Sequence, residues 1–324
     1  DKLVVDANSK ISLSNNDSNT GNTIFGKSAW NHPGDDDASD YNTIVGELAM
    51  GTGTIDAATN NTCVGYKALT DITTGDYNIA IGSIAGESLV GGQRNILVGH
   101  WAGGTTTDVD RAVLIGHGAA SDGNMTSAAD GTIAIGYGAA GALTSGARNT
   151  AIGYQTLDAM TQGDDNIAIG YQALSALGST DGCDKNIAIG NYAMDAADGN
   201  EAGHIAIGHN SLGALNTNGA ERTICIGIEA GASLNSADAD YNIIMGYTAG
   251  TGGTGSMAKC VVLGGYAMNA TAGNAQTGTI AIGYDALTSL TSGLYNTAMG
   301  YEALKDLTTG AGNTAVGFQA ADAL

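Results

Sequence analysis

The sequence predicts an all-β fold, a parallel β-solenoid (β-roll) of about 17 coils with 17–20 residues per coil. Three observations carry this prediction. One glycine recurs in fixed register along the chain, bulky and small apolar residues alternate around it, and the composition lacks the large side chains that fill a thick core. Of 324 residues 51 are Gly, against two Phe, two Trp and one Pro, which suits many thin, similar layers rather than one globule.

The repeat glycine falls at 26, 46, 65, 82, 99, 116, 136, 153, 170, 190, 208, 227, 246, 264, 283, 300 and 317. The residue three before it is Thr, Ile or Val in every copy. The residue just before it is always apolar, as in Ile81-Gly82, Val98-Gly99, Ile152-Gly153 and Ile169-Gly170. Between them stands a smaller residue, often Ala. Such alternation makes a strand. The two bulky side chains are expected to fill the coil interior. The small residue and the Asn one step earlier (Asn42, Asn78, Asn95, Asn149, Asn166, Asn186) then point to the opposite face as a partial ladder.

Three residues after the glycine stands Ala in nearly every copy (Ala68, Ala85, Ala102, Ala173, Ala303), usually followed by Leu, Met, Ala or Gly. This leg reads as a second short strand, with a one-turn helix as the alternative. Length variation is confined to the turn beyond it, where Thr73-Thr74-Gly75, Thr291-Ser292-Gly293 and Thr308-Thr309-Gly310 lie. Sixteen steps of about 4.8 Å predict a rod of roughly 77 Å. Small residues on an outward strand face let rods pack side by side, so homo-oligomerisation is expected.

Residues 1–20 lie outside the register. There Lys2-Leu3-Val4-Val5 and Lys10-Ile11-Ser12-Leu13 suggest an N-terminal lead-in or small hairpin before a single solenoid over 21–324. Its C-terminal coil carries no polar cap, as expected of a fragment of a longer fibre.

Asn149–Leu157 (NTAIGYQTL), Asn166–Leu174 (NIAIGYQAL) and Asn296–Leu304 (NTAMGYEAL) resemble the repeats of bacteriophage tail fibres. They are also similar to the head repeats of trimeric autotransporter adhesins, which are shorter. The resemblance covers residues 20–324. It implies a left-handed parallel β-roll, three chains around a threefold axis, and a role in attachment to a host surface.

The net charge of −21, from 32 acidic and 11 basic residues, repels phosphate backbones and anionic lipid, so neither nucleic acid nor membrane is an expected partner. No stretch approaches the ~20 apolar residues of a membrane span. The four cysteines, Cys63, Cys183, Cys225 and Cys260, have no CxxC spacing and read as small buried hydrophobes.

His100 and His117 occupy the slot after the repeat glycine in adjacent coils. They are candidate metal ligands only if that slot faces a symmetry axis; substitution for the commoner Tyr explains them more simply. His32 and His204 are isolated. Arg94, Arg111, Arg148, Lys185, Arg222 and Lys259 all stand five before the repeat glycine, where Tyr41, Tyr77, Tyr241 and Tyr295 stand in other copies. This column is a candidate glycan stripe or, more simply, an interchain column pairing with acids such as Glu229, Asp285 and Glu302.

Gly34-Asp35-Asp36-Asp37 and Asp238-Ala239-Asp240 lack calcium-loop spacing and read as solvated carboxylates. No GxSxG, HExxH or phosphate-loop motif occurs. The apolar residue at every sixth position that marks left-handed β-helix acyltransferases is missing, as are the Thr-x-Thr columns of ice-binding solenoids. No cofactor and no enzymatic activity is expected.

The expected function is the structural shaft of a homo-oligomeric, extracellular virion tail fibre that supports host attachment, with host-surface glycan or protein as possible partners. The alternative is a cell-surface adhesin or self-assembling extracellular filament.

Overall fold

The computed structural model describes residues 9–12 (backbone only), 21–30, 39–51, 55–178, 182–197, 202–215, 220, 222–252, 257–270 and 275–323. It divides into two compact units, 1–162 and 163–324, each a parallel β-solenoid. In the first, Thr23–Lys27, Thr43–Val45, Thr62–Val64, Ile79–Ile81, Ile96–Val98, Val113–Ile115, Ile133–Ile135 and Thr150–Ile152 pair successively in parallel. In the second, Ile167–Ile169, Ile187–Ile189, Ile205–Ile207, Ile224–Ile226, Ile243–Met245, Val261–Leu263, Ile280–Ile282, Thr297–Met299 and Thr314–Val316 do the same. Every pairing joins identical slots, for example Ile133 with Thr150 and Ala134 with Ala151.

Of the expected lead-in, the described residues are 9–12. Ser9–Ser12 pairs antiparallel with Thr23–Lys27, while Lys2–Val5 and Leu13 lie outside the described residues, as do His32 and Gly34–Asp37.

Conformation explains the repeat glycine. At Gly99 φ is +136°, a region that only glycine enters without strain. A Cβ there would also overlap the carbonyl oxygen of Gly116, and the same holds from Gly26 to Gly46 and from Gly283 to Gly300. Each coil therefore rests directly on the backbone of the next.

The strand faces are the reverse of the expected ones. The middle residue (Ala80, Leu97, Leu114, Ala134, Ala151, Ala168, Ala188, Cys225) is fully buried, while its bulky neighbours Ile79, Ile81, Ile243, Met245 and Met299 are about 40% exposed. The coil is narrow, so its interior accepts one small strand residue, the Asn, the leg Ala, the residue after it, and an aliphatic three further on (Ile72, Leu89, Leu143, Leu177, Leu290). Ala thus lines the interior, and the outward columns are bulky.

Volume is traded between coils. Where the strand carries Leu97 or Leu114 in place of Ala, the residue after the leg Ala in a neighbouring coil is Gly86 or Gly103. A Cβ on Gly86 would lie 2.5 Å from Leu97 Cδ1, and one on Gly103 2.9 Å from Leu114 Cδ1.

The leg is neither strand nor helix. The residues two and four after each repeat glycine, and the residue five before it, adopt positive φ: Lys67 (56°), Leu69 (50°) and Tyr77 (60°) in one coil, Gln172 (52°), Leu174 (50°) and Lys185 (59°) in another. Such conformations cost about 1–2 kcal/mol each for non-glycine residues and persist because neighbouring coils hold them. Lys67 N–H donates to Glu47 O at 3.0 Å on one side, and Leu69 N–H to Ala85 O at 3.0 Å on the other. The one 3-10 turn among the described residues, Ser127–Ala129, lies in a lengthened coil.

The Asn ladder forms inside the coil. Asn42 Oδ1 accepts from Asn61 N–H at 2.8 Å, Asn61 Oδ1 from Asn78 N–H at 2.9 Å, and Asn78 Oδ1 from Asn95 N–H at 3.0 Å. Each side-chain amide donates onward, as Asn78 Nδ2 does to Gly92 O at 2.8 Å. His204 takes this slot in the second unit. Its Nδ1 accepts from Thr223 N–H at 3.2 Å, and its Nε2 faces Ala220 O at 3.1 Å. A backbone N–H on one nitrogen and a carbonyl on the other fix the neutral Nε2–H tautomer. The ring thus reproduces both Asn bonds.

Gly99→Ala should destabilise the local coils by about 3 kcal/mol or more, read as lost hydrogen-exchange protection over 79–115. Gly131→Ala, at φ +74° with only Arg148 Cγ within 4 Å, should cost about 1 kcal/mol. At position 204, His204→Asn should preserve protection in strands 187–189 and 205–207, whereas His204→Leu should lose about 1–3 kcal/mol by orphaning Thr223 N–H and Ala220 O.

Candidate functional site

Because every slot stacks on its equivalent, outward residues form columns, and the candidate sites are places where a column changes. The slot after the repeat glycine carries an aromatic column. His100 stacks on His117 (4.9 Å, 23°), His117 on Tyr137 (5.2 Å, 12°) and Tyr137 on Tyr154 (5.1 Å, 9°) in the first unit. In the second unit Tyr284 stacks on Tyr301 and Tyr301 on Phe318. Stacked imidazoles keep their nitrogen lone pairs in near-parallel planes and do not aim them at one point. Among the described residues no three His, Cys, Asp or Glu side chains group to hold a metal ion. All four cysteines are buried and form no disulfide, and burial drives the thiol pKa of Cys63 and Cys225 far upward, leaving those two inert.

The basic column is organised within the chain. The Arg94 guanidinium lies over Tyr77 (5.7 Å), Arg222 lies over Tyr241 and donates to its hydroxyl at 2.8 Å, and Arg111 meets Asp130 at 2.8 Å. The adjacent slot holds acids whose carboxylates accept backbone N–H groups of the preceding coil. Asp76 accepts from Thr59, Asp110 from Gln93, Asp130 from Asp110 and Asp184 from Asp164. The cations thus stand beside carboxylates already used by the ladder. Arg111 and Arg148 flank the side-chain gap at Gly131, and Lys185 and Arg222 flank the one at Gly203. Asp285 and Glu302 lie away from this column, around Lys305 at 3.7 and 2.7 Å.

A further concavity is one that sequence reading passed over. Trp101, His117, Gly118, Ser121, Asp122, Tyr137, Gly138, Gln155 and Asp158 line a notch of about 180 Å³. Burial foremost, then the negative charge of Asp122, holds the Asp158 carboxyl above its ordinary range. Its signal in the sequence is the slot two after the repeat glycine, which is Gly only at 118 and 138, in adjacent coils and next to Trp101.

No protein-family model matches the chain, and comparison with curated proteins gives no match.

Asp158 gives a pH test. A carboxyl whose folded-state pKa is raised loses stability as pH rises from the unfolded value, about 3.9, through the folded one. Asp158→Asn should therefore be slightly stabilising at pH 7, by a few tenths of a kcal/mol given its half-exposed position. That gain should vanish below about pH 4, as followed by thermal unfolding at both pH values.

Proposed function

We propose that this chain is a shaft segment of a homo-oligomeric fibre, most simply an extracellular virion tail fibre, that holds an attachment function at a distance. What carries the reading is the outward strand face. In all seventeen copies the slots three and one before the repeat glycine are uncharged, and they form continuous Ile, Val, Thr and Met columns on each unit. A contiguous apolar strip of this kind marks an association surface.

A second copy of the chain is the partner with matching axial period, so contacts made in one coil recur in the next. The chain's acidic residues stand in other slots, and their mutual repulsion leaves this strip as the approach open to a like-charged copy. The strand Ala faces inward, so small outward residues do not form the association surface. The bulky columns take their place.

The likeness of NTAIGYQTL-type repeats to phage tail fibres supports the viral form and a trimer, and the interior, filled by Ala, Asn and Leu, supports a mechanical role without catalysis. Neither nucleic acid nor a membrane suits a surface of this charge.

Sedimentation with light scattering tests the proposal. The wild-type chain should run as an elongated species of about three chain masses. Val98→Lys, Ile135→Lys and Ile189→Lys together should reduce it to one chain mass with an unchanged circular dichroism spectrum. A wild-type monomer overturns the shaft reading, and a substituted protein that stays oligomeric overturns the assignment of this face.

A further inference from the structure

The notch beside Trp101 is built in a way the repeat does not require. Its floor is the slot two after the repeat glycine, which carries Trp101, Gly118, Gly138 and Gln155 in successive coils. All four have positive φ, 60°, 64°, 59° and 48°, and Trp101 and Gln155 show that this backbone tolerates a side chain. Space tolerates one too. A Cβ on Gly138 would make ordinary contacts of 3.5 Å with Asp158 Oδ1 and Gln155 Cγ, and one on Gly118 would be close only to Ser121 Oγ, at 3.2 Å. Neither backbone nor packing demands glycine here, so what two adjacent glycines provide is an open gap two coils long.

The walls are chemically distinct. On one side stand the stacked rings of His117 and Tyr137, with Tyr137 half-exposed. At one end stands the Trp101 indole, lying so close over Gly104 that a Cβ there would overlap its ring atoms. A ring lodged on a bare backbone is a rigid platform. On the other side Asp122 and Asp158 approach the same point, since a Cβ on Gly141 would lie 2.7 Å from Asp158 Oδ1 and 3.7 Å from Asp122 Oδ2. Ser121 Oγ holds Asp122 by donating to Oδ1 at 3.1 Å.

We infer that this notch binds one uncharged pyranose unit of a polysaccharide. Its C–H face would lie on the aromatic wall, and its hydroxyls would donate to Asp122 and Asp158. Paired carboxylates in a chain of charge −21 exclude acidic sugars. The volume of about 180 Å³ falls below the ~300–1,000 Å³ of pockets that engulf a whole drug-sized ligand, so the site takes one ring and leaves the rest of the polymer outside. The raised Asp158 carboxyl agrees with two acids sharing one partly enclosed rim. The inference does not rest on the fibre reading, because all these residues belong to one unit of one chain.

The test uses the full chain with the methyl glycosides of glucose, galactose, mannose and N-acetylglucosamine. Binding is read by saturation-transfer NMR and by tryptophan fluorescence. Trp30 is 3% exposed and Trp101 38%, so Trp101 reports on the notch. At least one glycoside should bind, with a Kd on the order of 1 mM, and chelator should not change it. Gly118→Gln with Gly138→Gln, a residue the same slot already holds at 155 and 172, should abolish binding. Asp122→Ala should weaken it about tenfold, a second reading should the filled variant fold poorly.

Binding by none of the four, binding that survives in the folded filled variant, or a response to calcium ion alone would overturn the inference. A monomer that binds a glycoside would sink the shaft reading and leave this one standing. A trimer that binds none would do the reverse.

Discussion

The close approach of one coil to the next at the repeat glycine sets the terms for the remainder of the fold. With the carbonyl of Gly116 occupying the place a Cβ on Gly99 would take, the coils are spaced by backbone thickness alone. Equivalent residues must then stack directly, and hydrogen bonds run from coil to coil around most of the perimeter, through the turns as well as the strands. Those bonds are what make three left-handed residues per coil tolerable. Lys67 and Leu69 would not choose such conformations locally, but their N–H groups find carbonyls in the coils on either side. The strain and the ladder are two aspects of one geometry.

That geometry also decides the interior. A coil this narrow has no room for a wide apolar layer, and a polar residue within it is costly unless its hydrogen bonds are made. Asn makes them with one acceptor aimed at the next coil's N–H and one donor aimed at a carbonyl. Two replacements keep bonds of this kind, His204 through its two ring nitrogens and Thr223 through a hydroxyl that donates to Ala239 O at 2.7 Å, whereas the Thr279 hydroxyl in the same slot is buried without a partner and Ala112 carries no polar group. The paired exchanges of Leu97 and Leu114 with Gly86 and Gly103 are the apolar counterpart, in which volume added to one column is removed from another.

Much of this was legible in the sequence, because stacking converts periodicity directly into structure. The glycine register, the strands and the Asn ladder could be read off spacing. Which strand face points inward could not, since a bulky–small–bulky triplet reads equally well in both directions, and the ordinary rule that large apolar residues lie inside gave the wrong one. The Asn slot shared the small residue's parity, and a buried ladder would have identified that face. The leg misled for a different reason: Leu, Lys and Gln there carry no local signature of positive φ. The only hint was that Gly replaces them at 86, 103, 118, 138, 231 and 250, as it also does at 131 and 203 in the slot before the Asn.

A column that never varies is explained by stacking and says little about recognition. Departures from the columns are where a repeat surface can acquire chemistry of its own. At Gly21 and Gly278 a missing side chain leaves space claimed by Tyr41 and Tyr295 of the neighbouring coil, so those glycines answer to packing. At Gly118 and Gly138 the adjacent coils leave room for a Cβ, the stacked rings from His100 to Tyr154 run along one side, and Asp122 and Asp158 stand on the other. The same stacking that makes the solenoid monotonous thus gives two missing side chains in one column a defined floor, two walls and two ends. A site of this kind needs no extra loop or domain, and it can be placed at any height along the solenoid without disturbing the coil that carries it.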